Sequence, residues 1–351
     1  MFCKTIATVS QSPRLLGLFQ KRIDGDDALL DLARVRFNEM GLGAEFYAET
    51  TEELDHLLKF RPAAETPLVA HLRRGINLLE KKDLSLVIDF AERFKGRLFG
   101  FVVHDQPEIS TRFDDYLSAL NRLEAEYNKI QGSPYLFIEY AVGLAPSLFV
   151  HFAETMKGLQ RISCCIDIGH IGLWQARTAY SKEHPGKDVC SLTTDDSSLP
   201  EVIEDVQSAV RSALDTVLSI VRVLGRLEKP LHFHLHDGHP LSITSPFGIS
   251  DHLSFLDKIP VPFEYKGKRS LDPMFGPSGL SSIVSESLKH LGPEQVSFSL
   301  EIHPAQGRLP LEDASYLFDH WEEKTNAERM NHWLWVLSQN QQLVQNSLEG
   351  K

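Results

Sequence analysis

The sequence predicts a (β/α)8 barrel, and three observations carry that prediction. Eight short runs are apolar almost throughout, longer amphipathic stretches separate them, and no GxGxxG turn is present. Strands apolar on both faces belong to a parallel sheet covered on both sides. Eight βα units in one chain close such a sheet on itself, whereas a doubly wound open sheet is the alternative that often carries the glycine-rich turn. The first run is KTIATVS or RLLGLF. GAEFYAE, PLVAHL (67–72), LFGFVVH (98–104), YLFIEY (135–140), ISCCIDIG (162–169), LHFHLHD (231–237) and VSFSLEI (296–302) follow. Between them, DGDDALLDLARVRFNEMG, DLSLVIDFAERFKG, TRFDDYLSALNRLEAEYNKI and LPEVIEDVQSAVRSALDTVLSIVRVLG repeat apolar residues at i, i+3 and i+4, the period of a helix with one buried face.

Two segments exceed what a minimal barrel needs, the polar 178–200 and the Pro-, Gly- and Ser-rich 241–277. Both follow strands, so both are expected at the C-terminal mouth, as a lid or a contact between copies. The domain reading is a catalytic barrel over 1–324 and a helical extension over 325–351. That added C-terminal helix carries Trp333 and Trp335, a candidate homo-oligomer contact.

The chain has 351 residues, 42% hydrophobic and 24% charged, an ordinary globular composition that excludes wholesale disorder. No apolar run approaches the roughly 18 residues of a membrane span, and the start lacks a secretory pattern. The cysteines, Cys3, Cys164, Cys165 and Cys190, show no CxxC spacing and read as thiols of a reducing, cytoplasmic setting. Lys+Arg 36 against Asp+Glu 48 leaves a net charge of −12, which disfavours nucleic acid as a partner and favours a small molecule.

The informative polar residues stand at strand ends: His71, His104, Glu139, Asp167 with His170, His234 with His236, and Glu301 with His303. An ionised carboxylate in an apolar strand needs a compensating cation or donor, because isolated burial costs several kcal/mol. Three carboxylates interleaved with imidazoles make a divalent metal the economical partner. Strand parity puts His232, His234 and His236 on one face and Cys165 with Asp167 on one face. His232, one layer deeper, reads as structural, and the DIGH spacing brings His170 about one turn beyond Asp167.

On VAHLRRGINL, FVVHD, FIEYAVG, CIDIGH, HFHLHD, the DHL at 251–253 and SLEIHP, the chain resembles the xylose-isomerase-like TIM-barrel superfamily, from about Lys4 to about Phe318. That superfamily includes sugar isomerases and epimerases and the endonuclease IV-type abasic-site nucleases (AP endonuclease family 2). The resemblance implies a shared metal site of Glu139, Asp167, His234 and Glu301, with Glu139 bridging to a second ion held by His71 and His104. His170 and His252 match the histidines around a third ion in the nuclease branch, with Asp251 as a companion. The sequence departs from that branch at Ser250, where an Asp is expected, and at Arg73, Arg74 and Gly75, which replace its bulky wedge. Tyr140 stands where an Asn is usual.

The first functional reading is a divalent-metal-dependent isomerase or epimerase of a sugar or polyol, using one to three ions (Mn, Zn, Mg, Co or Fe). Glu139 and Glu301 act there as ligands and proton shuttles around a metal-stabilised enediolate. Arg73, Arg74, Trp174 and His236 are its candidate substrate contacts. The alternatives are a multinuclear phosphodiester hydrolase of the endonuclease IV type, an iron-dependent oxidase and a non-catalytic barrel that kept its ligands.

Overall fold

The computed structural model describes residues 12–19, 26–63, 66–141, 143–192, 199–241, 252–302 and 327–350. Parallel strands close a barrel in the order β1-β10-β7-β6-β5-β4-β3-β2, with β1 and β2 joined. These strands are β1 (Arg14–Leu18), β2 (Gly43–Ala48), β3 (Leu68–Leu72), β4 (Gly100–His104), β5 (Tyr135–Glu139), β6 (Ile162–Asp167), β7 (Leu231–Leu235) and β10 (Val296–Leu300). RLLGL forms the first strand, and KTIATVS lies outside the described residues. Each strand buries side chains on both faces, which explains why the runs are continuously apolar rather than alternating.

Helices α1 (Asp27–Met40), α2 (Thr51–Leu57), α3 (Lys81–Phe94), α4 (Phe113–Tyr127), α5 (Pro146–Thr155), α6 (Ile168–Glu183), α7 (Leu199–Arg211), α8 (Ala213–Gly225) and α9 (Gly276–Ser287) lie between the strands, and α10 (Ala327–Leu348) follows the last. The main core lies between helices and outer strand faces. A second, smaller cluster of Leu16, Val69, Val102, Phe137 and Cys165 fills the lower bore.

The helix expected beyond the last strand packs against both α9 and α1, the place of a barrel's eighth helix. Trp333 is buried against Phe37 of α1, and its indole N–H donates to the Ile302 carbonyl at 3.3 Å. Trp333 is therefore core, whereas Trp335 is 58% exposed.

The second insertion packs on α7. Segment 241–277 contributes an antiparallel hairpin, β8 (Ile259–Tyr265) and β9 (Lys268–Leu271), and residues 242–251 lie outside the described set. Its Leu253, Ile259, Val261 and Leu271 form one apolar cluster with Ile203 of α7, the helix that follows segment 178–200. Lys266 Nζ reaches Glu204 at 2.8 Å on the same seam. Among the described residues, no helix is long and apolar enough to cross a membrane.

Candidate metal centre

Strand register assembles the site. His104 is level with Glu139 across β4 and β5, Asp167 with His234 across β6 and β7, and Tyr47 with His71 across β2 and β3. Glu301 immediately follows β10. At the end of β6 the chain turns straight into α6, where Asp167 is the N-cap and its Oδ1 accepts the His170 N–H at 2.7 Å. That cap swings His170 onto the same side as Asp167.

Three adjoining groups of ligand atoms stand at the strand ends, the atoms of each lying within 4.8 Å of one another: His71, His104 and Glu139; Glu139, Asp167, His234 and Glu301; and Asp167, His170, His236 and His252; Cys165, His232 and His234 form another one layer below, and Glu183, His184 and Asp205 one away from the centre. Glu139 and Asp167 each belong to two groups, so the three positions abut. All eight expected ligand residues fall in these groups. His236, read above as a substrate contact, is instead fully buried, with Nε2 3.0 Å from Asp167 Oδ1 and its ring stacked on His252. Gly169 makes that placement feasible, since a Cβ there would lie 1.9 Å from the His236 ring. His252 itself has φ of 55°, a strained conformation for a non-glycine residue.

Hydrogen bonding shows which nitrogens face the centre. His71 Nδ1 lies 2.8 Å from the Leu72 carbonyl, so that nitrogen carries the ring proton. Its Nε2 then turns a lone pair toward Glu139 Oε2 at 2.8 Å. Two electron pairs this close require a shared positive charge. His170 and His236 repeat the arrangement, with Nδ1 against the Tyr140 and Asp237 carbonyls, each at 3.3 Å. The buried Nε2 of His170 has no hydrogen-bond partner among the described residues. His234 reverses the pattern. Its Nδ1 faces Glu139 Oε1 at 3.2 Å and Glu301 Oε2 at 3.0 Å, while Nε2 lies 3.0 Å from Glu45 Oε1. Such a donor set fits divalent cations: buried carboxylates shared between sites, and imidazoles with outward nitrogens tied down and inward lone pairs presented.

The electrostatics agree. Burial would push the Glu139 carboxyl up, but His234, His104 and His71 outweigh it and hold it well below the usual range. His104 is lowered to about 4, chiefly by burial against the pull of Glu139, with His71, Arg74 and His170 adding to the lowering. It is therefore neutral and able to ligate at pH 7. His234, despite burial, is raised well above its ordinary value by Cys165, Glu45, Glu301 and Glu139, so these groups hold a proton on the ring until a cation at Nδ1 displaces it.

Two site residues escaped the sequence reading. Glu45 is fully buried below the centre, and Tyr47 stacks on His71 while its hydroxyl donates to Glu301. The available signal was parity, since Glu45 and Tyr47 share one face of an otherwise apolar strand. His232, expected to be structural, joins Glu45 Oε2 at 3.1 Å and Ser297 Oγ at 2.7 Å.

The proposed substrate contacts separate. Arg73 donates to Asp83 at 2.7 Å at the start of α3, so it holds the β3–α3 loop rather than the site. Arg74 is exposed and close enough to His104 to lower its basicity. Trp174 lies half-buried on α6, two turns beyond Asp167. His303 and Asp251 lie outside the described residues.

No family model and no curated protein matches the sequence. Among solved structures, a β-D-glucuronidase of Dictyoglomus thermophilum is similar at 12% identity and a TM-score of 0.43, over 89% of this chain and 50% of that one. The carboxyl transferase domain of Rhizobium etli pyruvate carboxylase, with pyruvate and biocytin, is similar at 11% identity and a TM-score of 0.38, over 96% of this chain and 48% of that one. The chain thus spans about half the length of each. What stands for this protein is the closed barrel and the ligand groups at its mouth.

Proposed function

We propose that the protein is a metal-dependent hydrolase of phosphoesters carried by small molecules, within the xylose-isomerase-like superfamily and in the cytoplasm. One observation supports this reading: Glu139 and Asp167 each belong to two ligand groups, so the three groups adjoin and suit more than one cation. A single-ion isomerase needs only the central group and leaves His71, His104, His170, His236 and His252 without a role. Adjacent divalent ions supply Lewis acidity, neutralising charge on phosphoryl oxygens and making water more acidic. The imidazole-rich third group favours zinc, cobalt or iron over magnesium.

The chain's own residues do the rest. His104, 18% exposed on its side chain, forms the open edge of the first group. Arg74 beside it offers the rim a positive charge for an anionic substrate. Tyr47 holds the Glu301 carboxylate by donating to it. A net charge of −12 and the engagement of Arg73 with Asp83 argue for a compact phosphoester over a nucleic acid.

A second reading, sugar isomerisation or epimerisation, is favoured by one contact pair. Glu139 and Glu301 converge on the same His234 nitrogen, so two carboxylates face one position and could pass a proton between carbons. Elemental analysis of purified protein separates the readings, together with assays of bis(p-nitrophenyl) phosphate hydrolysis and of deuterium exchange into ketoses. About three ions per chain with phosphoester turnover is the expected result. One ion per chain with deuterium exchange overturns the hydrolase.

A further inference from the structure

We propose that Glu45 is the positioning residue that selects which nitrogen of His234 faces the centre. The inference rests on the reading of that centre as a cation site, and it concerns a residue outside all three ligand groups.

The contrast among the histidines motivates it. His71, His170 and His236 each tie Nδ1 to a backbone carbonyl, at Leu72, Tyr140 and Asp237, and turn Nε2 inward. For His71 and His236 that carbonyl belongs to the next residue in the chain, and for His170 it is Tyr140's, just beyond β5, so all three are oriented by backbone. His234 turns Nδ1 inward instead, toward Glu139 and Glu301. Its Nε2 points down the bore, where strand geometry supplies no carbonyl of the same kind. The acceptor there is Glu45 Oε1 at 3.0 Å, brought from β2 on the other side of the bore.

Glu45 is itself held in place. Its second oxygen lies 3.1 Å from His232 Nε2, and His232 Nδ1 lies 2.7 Å from Ser297 Oγ. The chain Ser297–His232–Glu45–His234 is wholly buried, so water cannot substitute for the carboxylate. With Glu45 accepting from both rings, each carries its proton on Nε2, and His234 is left with its lone pair on Nδ1. An anionic acceptor behind a ligating imidazole also strengthens the inner nitrogen as a donor, which a backbone carbonyl does less well. Glu45 thus fixes both the ligand atom and the ring's orientation without touching a cation.

Glu45→Met and Glu45→Gln separate this role from packing. Methionine keeps the length and removes the acceptor. Glutamine keeps the shape: its carbonyl accepts from His234 while its amide donates to His232, whose Nδ1 proton then goes to Ser297. Zinc affinity, measured by competition with a chromophoric chelator, falls about 10- to 100-fold in Glu45→Met and stays within about threefold of wild type in Glu45→Gln. Long-range ¹H–¹⁵N spectra of zinc-loaded wild type and of Glu45→Gln show the His234 proton on Nε2. Glu45→Met binding zinc as tightly as wild type overturns the inference. So does a His234 proton on Nδ1 in the wild type, a result that does not depend on any variant folding. Wild-type protein that takes up no zinc overturns the metal-centre reading as well. Zinc uptake with an indifferent Glu45 overturns the positioning role alone.

Discussion

The bore has two halves that use the same strands and opposite chemistry. Moving up two residues on one face of β3, β4, β5 and β6, Val69 gives way to His71, Val102 to His104, Phe137 to Glu139 and Cys165 to Asp167. The lower residue of each pair packs into an apolar plug, and the upper one joins a ligand group. Each half is buried, but only the lower one gains free energy by leaving water. The upper half forfeits solvation of Glu139, Asp167 and Glu301, a loss of several kcal/mol per uncompensated charge. A fold that keeps this arrangement has a compensating positive charge available. The lower plug therefore serves stability, and the upper layer carries the candidate ligand groups.

The sharpest way to break this comparison is on β5, where the two halves stand two residues apart. Glu139→Gln removes the carboxylate common to two ligand groups. Turnover is expected to fall about 1,000-fold, with roughly two fewer ions per chain by elemental analysis and little change in melting temperature. Phe137→Ala, one layer below, opens a cavity among Leu16, Val69, Val102 and Cys165. It is expected to destabilise by about 3–5 kcal/mol in urea titrations while the surviving folded protein keeps its ions. If Phe137→Ala removed metal at unchanged stability, the division into plug and centre would fail.

Most of this architecture was legible because burial on both faces leaves an unmistakable apolar run, and the ligands stand out against it as polar letters. What stayed hidden depended on which side chain meets which across the bore. Glu45 lies mid-strand rather than at a strand end, and the parity it shares with Tyr47 gives its face but not whether that face is buried. His236 reads as a substrate contact from sequence because parity gives its face and not its depth; the missing side chain at Gly169 lets the ring sit against Asp167. Arg73 and Arg74 are adjacent letters with different fates, decided by Asp83 on the following helix.

Outside both halves, the mouth carries its own acid-sensitive element. His239 is buried, with Nδ1 accepting the Leu241 N–H at 3.0 Å and Nε2 against the Gln207 side chain of α7 at 2.7 Å. Burial lowers it to about 3. Its folded value lies below the ordinary histidine value near 6.5, so the unfolded chain binds the proton more readily. Stability is therefore complete above about pH 6.5 and lost as pH falls toward 3, by up to about 1.4 kcal/mol per unit. Urea midpoints between pH 7 and 4.5 test this, and His239→Gln is expected to flatten the slope.

Gly169→Ala probes the upper layer from the helix side. Alanine is the better helix former by about 1 kcal/mol, but displacing a fully buried ring costs about 1–3 kcal/mol, so thermal stability is expected to hold or fall slightly. The added Cβ cannot coexist with the His236 ring where it stands. The third ligand group should then lose about 10- to 100-fold in zinc affinity, read by chelator competition. Equal affinity would show that His236 is not part of that group.

The smallest expected effect tests the rim. Arg74 and Arg73 carry equal charge on neighbouring positions, but only Arg74 acts on His104, while Arg73 is bound to Asp83. An exposed guanidinium beside a site adds modestly to anion binding, on the order of 1 kcal/mol. Arg74→Ala is accordingly expected to raise KM for a phosphoester about three- to tenfold with kcat preserved, and the effect should shrink as salt is added. Arg73→Ala should leave KM unchanged and loosen the β3–α3 loop instead. The exposed charge belongs functionally to the upper half of the bore only if the two variants differ in KM, and equal values would return Arg74 to the solvated surface.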